Sequence, residues 1–94
     1  MLLRWREATP PDVAGEVARA LRRLPGRGIP FRSYDVGPDV GLAGPPNGWD
    51  FAVVAAFDDR AGWETYMADA EHDRIRRDLI GPHVADRATV QFED

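Results

Sequence analysis

The sequence predicts an α+β fold of the ferredoxin-like type, in which two helices cover one face of a four-stranded antiparallel sheet. Three observations support this prediction. The 94 residues fit one domain, residues 1–94, and leave no room for a second. The apolar pattern gives the element order strand–helix–strand–strand–helix–strand. Stretches rich in Gly and Pro separate several of these elements.

The first half of the chain contains two predicted strands and one predicted helix. Residues 2–5, LLRW, are a short apolar strand, and residues 31–37, FRSYDVG, are a strand of mixed character. The helix is predicted over residues 7–24, because apolar residues recur there at helical spacing. The stripe consists of Val13, Val17, Ala20, Leu21 and Leu24. Two Gly and two Pro in residues 25–30, PGRGIP, end this helix.

A loop and a strand follow in the middle of the chain. Residues 38–48 contain Gly, Pro and Asn throughout, which predicts a loop. A loop of this length in a compact domain is often functional or mobile. Residues 49–57, WDFAVVAAF, form the clearest strand of the sequence, and both of its faces are apolar except at Asp50.

The second helix is predicted over residues 58–82, with a break near Asp69–Ala70. One of the two aspartates at 58–59 caps its start, and Gly81-Pro82 ends it. The last strand is predicted over residues 87–94, because apolar and polar residues alternate there. Its apolar positions are Ala88, Val90 and Phe92.

Composition narrows the classes of function. The chain has no cysteine, which excludes a disulfide framework, a thiolate zinc site and a cysteine nucleophile. A net charge of −4 makes nucleic-acid binding unfavourable, since phosphate contacts need a basic surface. The apolar runs are too short to span a bilayer or to form a signal sequence. We therefore predict a cytoplasmic protein that contacts neither nucleic acid nor membrane.

The strand at residues 49–57 indicates a second copy of the chain. Two helices can cover only one side of the sheet, and an antiparallel sheet with one wet face alternates apolar and polar residues. Burying about 500 Å² of apolar face per subunit would contribute roughly 12 kcal/mol gross, at ~25 cal/mol/Å². We therefore predict a homodimer that packs sheet against sheet. The alternative is that the small alanines of one face tolerate exposure.

Two segments carry a resemblance to a known family. Residues 48–94 combine an aromatic strand ending in Phe-Asp, a helix with Tyr, and a last strand ending in an aromatic residue and acids. The helix with Tyr is followed by a corner in the chain at Ala70-Glu71-His72. Residues 20–40, ALRRLPGRGIPFRSYDVGPDV, add a Leu-Pro break after the first helix. Together they resemble the stress-responsive dimeric α/β-barrel (Dabb) domain family, which includes polyketide cyclases of the olivetolic acid cyclase type. The resemblance implies a barrel built from two subunits.

The resemblance also implies an acid–base site. In the cyclases, a Tyr on the second helix and a His after the corner line the pocket and carry the chemistry, and the matching positions here are Tyr66 and His72. Two other pocket histidines of the cyclases have no counterpart. Phe51 stands at one of these positions, and the other would lie at or before Met1. Ala70 replaces the proline that precedes the family's histidine.

The chemistry of His72 and Tyr66 fits such a role. A neutral imidazole can remove an acidic proton next to a carbonyl, and a phenol can hold the resulting enolate oxygen. The two rings meet only if the helix is broken at Asp69–Ala70, because positions six apart face opposite sides of an unbroken helix. The alternative is a structural His72 that bonds a backbone carbonyl in the core. Further residues predicted for the pocket are Trp5, Tyr34, Phe51 and Phe92.

Other polar residues are predicted to be structural. His83 follows Gly-Pro in a turn and is expected to be solvated. A metal site built from His72, His83 and nearby aspartates lacks the ligand spacing that zinc sites show. Residues 74–77, RIRR, lie between Asp73 and Asp78, and such a run of charges is typical of a solvated helix face.

Two kinds of function remain open at this point. One is a small-molecule-binding protein that acts as a cofactor-independent acid–base enzyme, cyclase- or isomerase-like, on a small apolar carbonyl compound. The alternative is a non-catalytic, stress-associated binding or structural dimer module. The missing histidines favour binding without cyclisation, whereas the retained Tyr66 and His72 favour some chemistry.

Overall fold

The computed structural model describes residues 1–44 and 48–94, and there it shows the predicted element order with the second helix divided. The strands are β1 (Leu2–Trp5), β2 (Phe31–Pro38), β3 (Phe51–Phe57) and β4 (Val84–Ala88). The helices are α1 (Val13–Leu21), α2 (Arg60–Ala68) and α3 (Ala70–Arg74). A 3₁₀ turn (Leu24–Arg27) follows α1, and a π-helix (Ile75–Ile80) continues α3.

The four strands form one antiparallel sheet in the order β2-β3-β1-β4. Leu3 pairs with Phe51 across β1 and β3, and Val36 pairs with Val53 across β2 and β3. Directly paired residues point to the same face of a sheet. Leu3, Phe51 and Val53 are all buried, so this face carries the helices. The ferredoxin-like α+β prediction is confirmed.

The first helix buries the predicted stripe but is shorter than predicted. Val13, Val17, Leu21 and the following Leu24 are buried in the core. The helix begins only after Asp12, because a residue that precedes a proline is disfavoured in helical conformation and the sequence has two prolines in succession just before it. The prolines therefore set the start of α1.

The second helix is divided where the sequence predicted a break. Asp59 caps α2, since its carboxylate accepts a hydrogen bond from the backbone N–H of Gly62 at 3.0 Å. Asp69 then adopts an extended backbone, with φ −67° and ψ 128°, and the chain re-enters a helix at Ala70. The helical run ends before Gly81, as predicted.

The boundaries of two predicted strands are wrong. Strand β3 begins at Phe51, two residues later than predicted. Strand β4 is Val84–Ala88 rather than residues 87–94, and Phe92 is 83% exposed. The reason is the length of β1: Ala88 already pairs with Leu2, the first residue of that strand. The pairing of β4 with β1 therefore ends at Ala88. Part of the predicted loop, residues 45–47, lies outside the described residues.

The second face of the sheet is bare in the single chain. The strand register places Leu2, Ala52, Val54, Ala56 and Ala88 on this face. Val54 is 61% exposed at its centre. An ion pair of 2.8 Å between Arg4 and Asp86 lies at its margin. The helices of the described residues include none that is long and apolar enough to cross a membrane.

Candidate functional site

The predicted site residues lie toward opposite ends of strand β3. Trp5 and Phe51 lie at its start, where their ring centroids are 5.8 Å apart. Tyr34, Tyr66 and His72 lie toward its end, around Phe57. Phe57 lies six positions after Phe51, a distance of about 20 Å at ~3.3 Å per residue. One pocket shared by all the predicted residues is therefore not observed.

Five rings form what we call the histidine cluster: Phe31, Tyr34, Phe57, Tyr66 and His72. The Tyr66 ring lies at its centre, with the His72 ring stacked on it at 4.0 Å. The centroids of the other three rings are 5.2 to 5.7 Å from that of Tyr66. Tyr66 is only 6% exposed, whereas Phe31, Tyr34 and Phe57 are half-buried and form the outer layer.

The two tyrosines of the cluster form a hydrogen-bonded pair, with 3.0 Å between their hydroxyl oxygens. Burial raises the pKa of Tyr34, and the hydrogen bond to Tyr66 raises it further. Burial also raises the pKa of Tyr66, against the opposing effects of the Tyr34 hydrogen bond and the Arg76 charge. Both phenols are therefore protonated at neutral pH. One hydrogen lies between the two oxygens, so the pair has a second hydrogen to donate.

The His72 ring has a defined tautomer. Its Nδ1 lies 3.1 Å from the backbone carbonyl oxygen of Tyr66. A carbonyl only accepts, so Nδ1 carries the hydrogen and Nε2 of the neutral ring keeps its lone pair. Burial lowers the pKa of His72 and the charge of Arg76 lowers it further, which outweighs the Tyr66 carbonyl and two nearby aspartates. The ring, in a residue that is 2% exposed, is therefore a neutral potential base.

The extended backbone of Asp69 brings Tyr66 and His72 together. It turns the chain between the two helices, so that residues six apart stack instead of facing opposite sides. The Asp69 carboxylate accepts from the backbone N–H of His72 at 2.9 Å and from the Arg27 guanidinium at 3.2 Å. Burial alone would raise the pKa of Asp69, but these hydrogen bonds outweigh it and lower the pKa. The two rings thus meet as predicted for a broken helix, and the bond of His72 to a backbone carbonyl is the one predicted for a structural role. The chemical role of the rings stays a prediction.

The other end of the sheet carries an open cleft of about 820 Å³, which we call the tryptophan cleft. Trp5 and Trp49 form apolar parts of its wall. The backbone N–H of Trp5 donates to the Asp50 carboxylate at 2.8 Å, which ties β1 to the start of β3. A smaller cleft of about 280 Å³ is lined by Phe51 and by residues of the bare face. No member of the histidine cluster borders these two clefts.

The structure places Phe92, Phe51 and His83 differently from the sequence-based expectation. Phe92 contacts neither group, because the chain has left the sheet before it. Phe51 is buried in the core between Trp5 and the helices. His83 is half-buried rather than solvated, and its carbonyl accepts from the backbone N–H of Arg6 at 2.7 Å. Within residues 1–44 and 48–94, no three His or acidic residues come close enough to hold a metal ion.

Sequence reasoning missed Phe31 and Phe57, which complete the histidine cluster. The signal was available in the β2–β3 hairpin, because antiparallel pairing sets the first residue of one strand against the last residue of the next. Phe31 does pair with Phe57, and their ring centroids are 5.3 Å apart. The structure also shows that Arg76 differs from its neighbours in the run RIRR, because its Nε is buried.

Comparisons with known proteins agree with this architecture. A family model described as the stress responsive A/B barrel domain matches residues 1–94. A crystal structure of a dimeric ferredoxin-like protein of unknown function from Thermobifida fusca YX is similar, with a TM-score of 0.83 and 36% identity. The match covers 97% of this chain and 83% of that one.

Two further solved structures share the fold. One is a dimeric protein of unknown function with a ferredoxin-like fold from Bacteroides fragilis NCTC 9343, with a TM-score of 0.85 and 23% identity. That match covers 99% of this chain and 90% of the other. The second is At3g17210 from Arabidopsis thaliana, with a TM-score of 0.71 and 15% identity over 97% and 94% of the two chains. No curated protein matches the chain.

Proposed function

The chain belongs to the stress responsive A/B barrel domain family, and from this premise we propose that it is a homodimer that binds a small, largely apolar carbonyl compound at the histidine cluster. We further propose that it transfers a proton on that compound without a cofactor. One observation carries the proposal: a neutral imidazole with a free lone pair stacks on a tyrosine pair that has a hydrogen to donate. The predicted cytoplasmic location stays a prediction.

The proposed chemistry assigns one task to each group. Nε2 of His72 takes a proton from the carbon next to the ligand's carbonyl, because a neutral imidazole is a base near pH 7. The free O–H of the Tyr34–Tyr66 pair donates to the carbonyl oxygen and stabilises the charge that develops there. Returning the proton to a different atom would make the reaction isomerase-like, and a new carbon–carbon bond would make it cyclase-like.

Access to the cluster requires its outer rings to move. Phe31, Tyr34 and Phe57 are half-buried, so they separate the buried pair Tyr66–His72 from solvent. Rotation of partly exposed side chains is fast compared with enzymatic turnover. We propose that a ligand enters by displacing Phe31 or Phe57 and takes over their contacts with Tyr66.

The bare sheet face supports the homodimer. It exposes Val54 among small apolar residues, and its charged residues are Arg4, Asp86 and Asp35, which pairs with Val54. The Thermobifida fusca relative, 36% identical, is described as dimeric. A second copy placed on this face would remove the exposed apolar patch from water.

A charge at the centre of the bare face tests the homodimer. We expect Val54→Glu to yield single chains in sedimentation equilibrium at micromolar concentration, because a carboxylate would be buried without a partner. Val40→Glu is the control, since Val40 is 77% exposed and follows β2 outside the sheet. It should leave the dimer intact. A wild-type protein that sediments as one chain would contradict the proposal.

Binding of simple ketones tests the site. We expect alkyl phenyl ketones, from acetophenone to hexanophenone, to produce saturable NMR shifts in the Tyr34, Tyr66 and His72 signals. Exchange of their α-hydrogens in D₂O should be faster than in buffer, and His72→Gln should abolish that difference. Tyr66→Phe, which keeps the ring, should retain part of it. Shifts that avoid the cluster, or exchange that survives His72→Gln, would exclude the proposed chemistry.

A non-catalytic binding module is the second candidate, and the tryptophan cleft favours it. The cleft has an open volume of about 820 Å³, whereas His72 in the histidine cluster is 2% exposed. In this case the same ketones should shift the indole N–H signals of Trp5 and Trp49. His72→Gln should then leave binding unchanged.

A further inference from the structure

Arg76 contains a buried donor that the protein does not use. Among residues 1–44 and 48–94, its Nε is a buried side-chain nitrogen without a hydrogen-bond partner. Its Nη2 is 3.5 Å from the Asp73 carboxylate, a long contact, and the side chain is 32% exposed. An unpaired donor of a charged group is costly to bury, so such groups normally have a partner.

Unlike Arg76, the neighbouring arginines of the run RIRR have close carboxylate partners. Arg77 pairs with Asp73 at 3.1 Å and with Asp78 at 3.0 Å, and Arg74 pairs with Glu71. Both are more exposed than Arg76. These two residues fit the predicted solvated helix face, whereas Arg76 departs from it.

The position of Arg76 relates it to the histidine cluster. It follows His72 by four residues in a continuous helical run, and residues four apart lie on the same side of a helix. It also belongs to the π-helix, where the Gly81 N–H donates to the Arg76 carbonyl at 2.8 Å. Such wide turns are frequent at functional sites. After burial, the Arg76 charge is the next cause that lowers the pKa of His72, so the guanidinium is electrostatically coupled to the ring.

We propose that Arg76 recognises an anionic group on the ligand of the histidine cluster, and that this ligand is therefore an oxo acid, with a carboxylate close to its carbonyl. The proposal rests on the function proposed above and names its substrate class. The carboxylate accepts from Nε of Arg76 in a charge-assisted hydrogen bond. The neighbouring carbonyl then accepts from the tyrosine pair, and the adjacent carbon faces Nε2 of His72.

A matched pair of probes tests this assignment. Isothermal titration calorimetry would compare 2-oxo-4-phenylbutanoate with its methyl ester, which adds one methyl group and removes the charge. We expect the wild type to bind the acid about tenfold more tightly or better, as charge-assisted hydrogen bonds typically contribute. Arg76→Met should remove this preference, because it keeps an unbranched stem and deletes the guanidinium. Arg77→Met is the control and should keep the preference.

The outcomes separate the two proposals. Equal binding of acid and ester by the wild type, or a preference that survives Arg76→Met, overturns the role of Arg76 and leaves the ketone site in place. Absence of saturable binding of both probes overturns both proposals. If Arg76→Met does not fold, Arg76→Lys supplies the test, because it keeps a charge and lacks Nε. It should lose most of the preference, and full retention would overturn the assignment.

Discussion

The histidine cluster and the tryptophan cleft differ in the burial of their residues and in open volume. The cluster is closed, its central rings are almost fully buried, and burial shifts the pKa values of His72, Tyr34 and Tyr66. The cleft at the other end of the sheet is open, with a volume of about 820 Å³, and the Trp5 and Trp49 rings form part of its wall. Burial that adjusts the protonation of a group also removes it from solvent. We propose chemistry at the closed end, and the open cleft is the candidate for binding without catalysis.

The largest expected difference between the two ends is in stability. Tyr66→Ala should lower the free energy of unfolding by about 3–5 kcal/mol, because it removes the ring at the centre of five. Trp5→Ala, at the open end, should cost about 1–2 kcal/mol, because that ring is only half-buried. Urea denaturation measures both values. Equal losses would show that the two ends are packed alike.

A single added methyl group should distinguish a tightly packed position from a loose one. The Cβ of an alanine at Gly62 would lie 3.1 Å from the Phe57 ring, whereas one at Gly26 would meet nothing within 4 Å. We expect Gly62→Ala to cost about 1–3 kcal/mol through displacement of Phe57. Gly26→Ala should be close to neutral. A tolerated Gly62→Ala would mean that the outer rings of the cluster move easily, which would strengthen the proposed route of entry.

The turn between α2 and α3 should keep the His72 ring stacked on the Tyr66 ring. Asp69→Ala removes the hydrogen bond to the His72 N–H and the ion pair with Arg27, and we expect a loss of about 1 kcal/mol. The ring signals of His72 and Tyr66 should shift in NMR spectra as their stacking changes. Asp58→Ala is the control, because its ion pair with Arg32 is exposed. Unchanged ring signals in Asp69→Ala would show that packing alone holds the stack.

The smallest expected effect is a dependence of stability on pH that belongs to the histidine cluster. Because the pKa of folded His72 lies below its ordinary value of about 6.5, the unfolded chain binds more protons between the two values. This contribution to stability is complete above pH ~6.5 and is lost as the pH falls through the folded pKa. His72→Gln should remove this part of the profile, and His83→Gln should keep it. An imidazole signal of His72 that titrates above pH 6.5 would reverse the sign and contradict the prediction.

The sequence was informative wherever a local rule decided the structure. The helical stripe of α1, the aspartate cap of α2 and the break at Asp69 follow from spacing and from residue type. The end of β4 could not be read in this way, because it depends on where the short strand β1 begins, a pairing between distant segments. Apolar and polar residues do alternate around Val90 and Phe92, but both residues lie beyond the end of β4.

The candidate site was predicted only in part, because some of its contacts follow from local rules and others from long-range pairing. Tyr66 and His72 are joined by a local break, and the sequence predicted their contact on the condition of that break. The separation of Phe51 from these residues depends on the β2–β3 register, and the burial of Arg76 Nε depends on a π-helix. The run RIRR has the composition of a solvated face, and no periodicity in it indicates that one of its residues turns inward.

The wide turn at Ile75–Ile80 has a consequence for how this chain can change over generations. A π-helix closes its hydrogen bonds over five residues instead of four, so it holds one residue more than an α-helix with the same ends. Loss of a single codon within it would restore ordinary helical winding and shift the residues after the deletion around the helix axis, without shortening any strand. A side chain at Gly81 would have a similar effect, since its Cβ would come within 3.0 Å of the Arg77 carbonyl. Relatives that differ here by one deletion or one point substitution would keep the sheet and differ in how the chain leaves this helix.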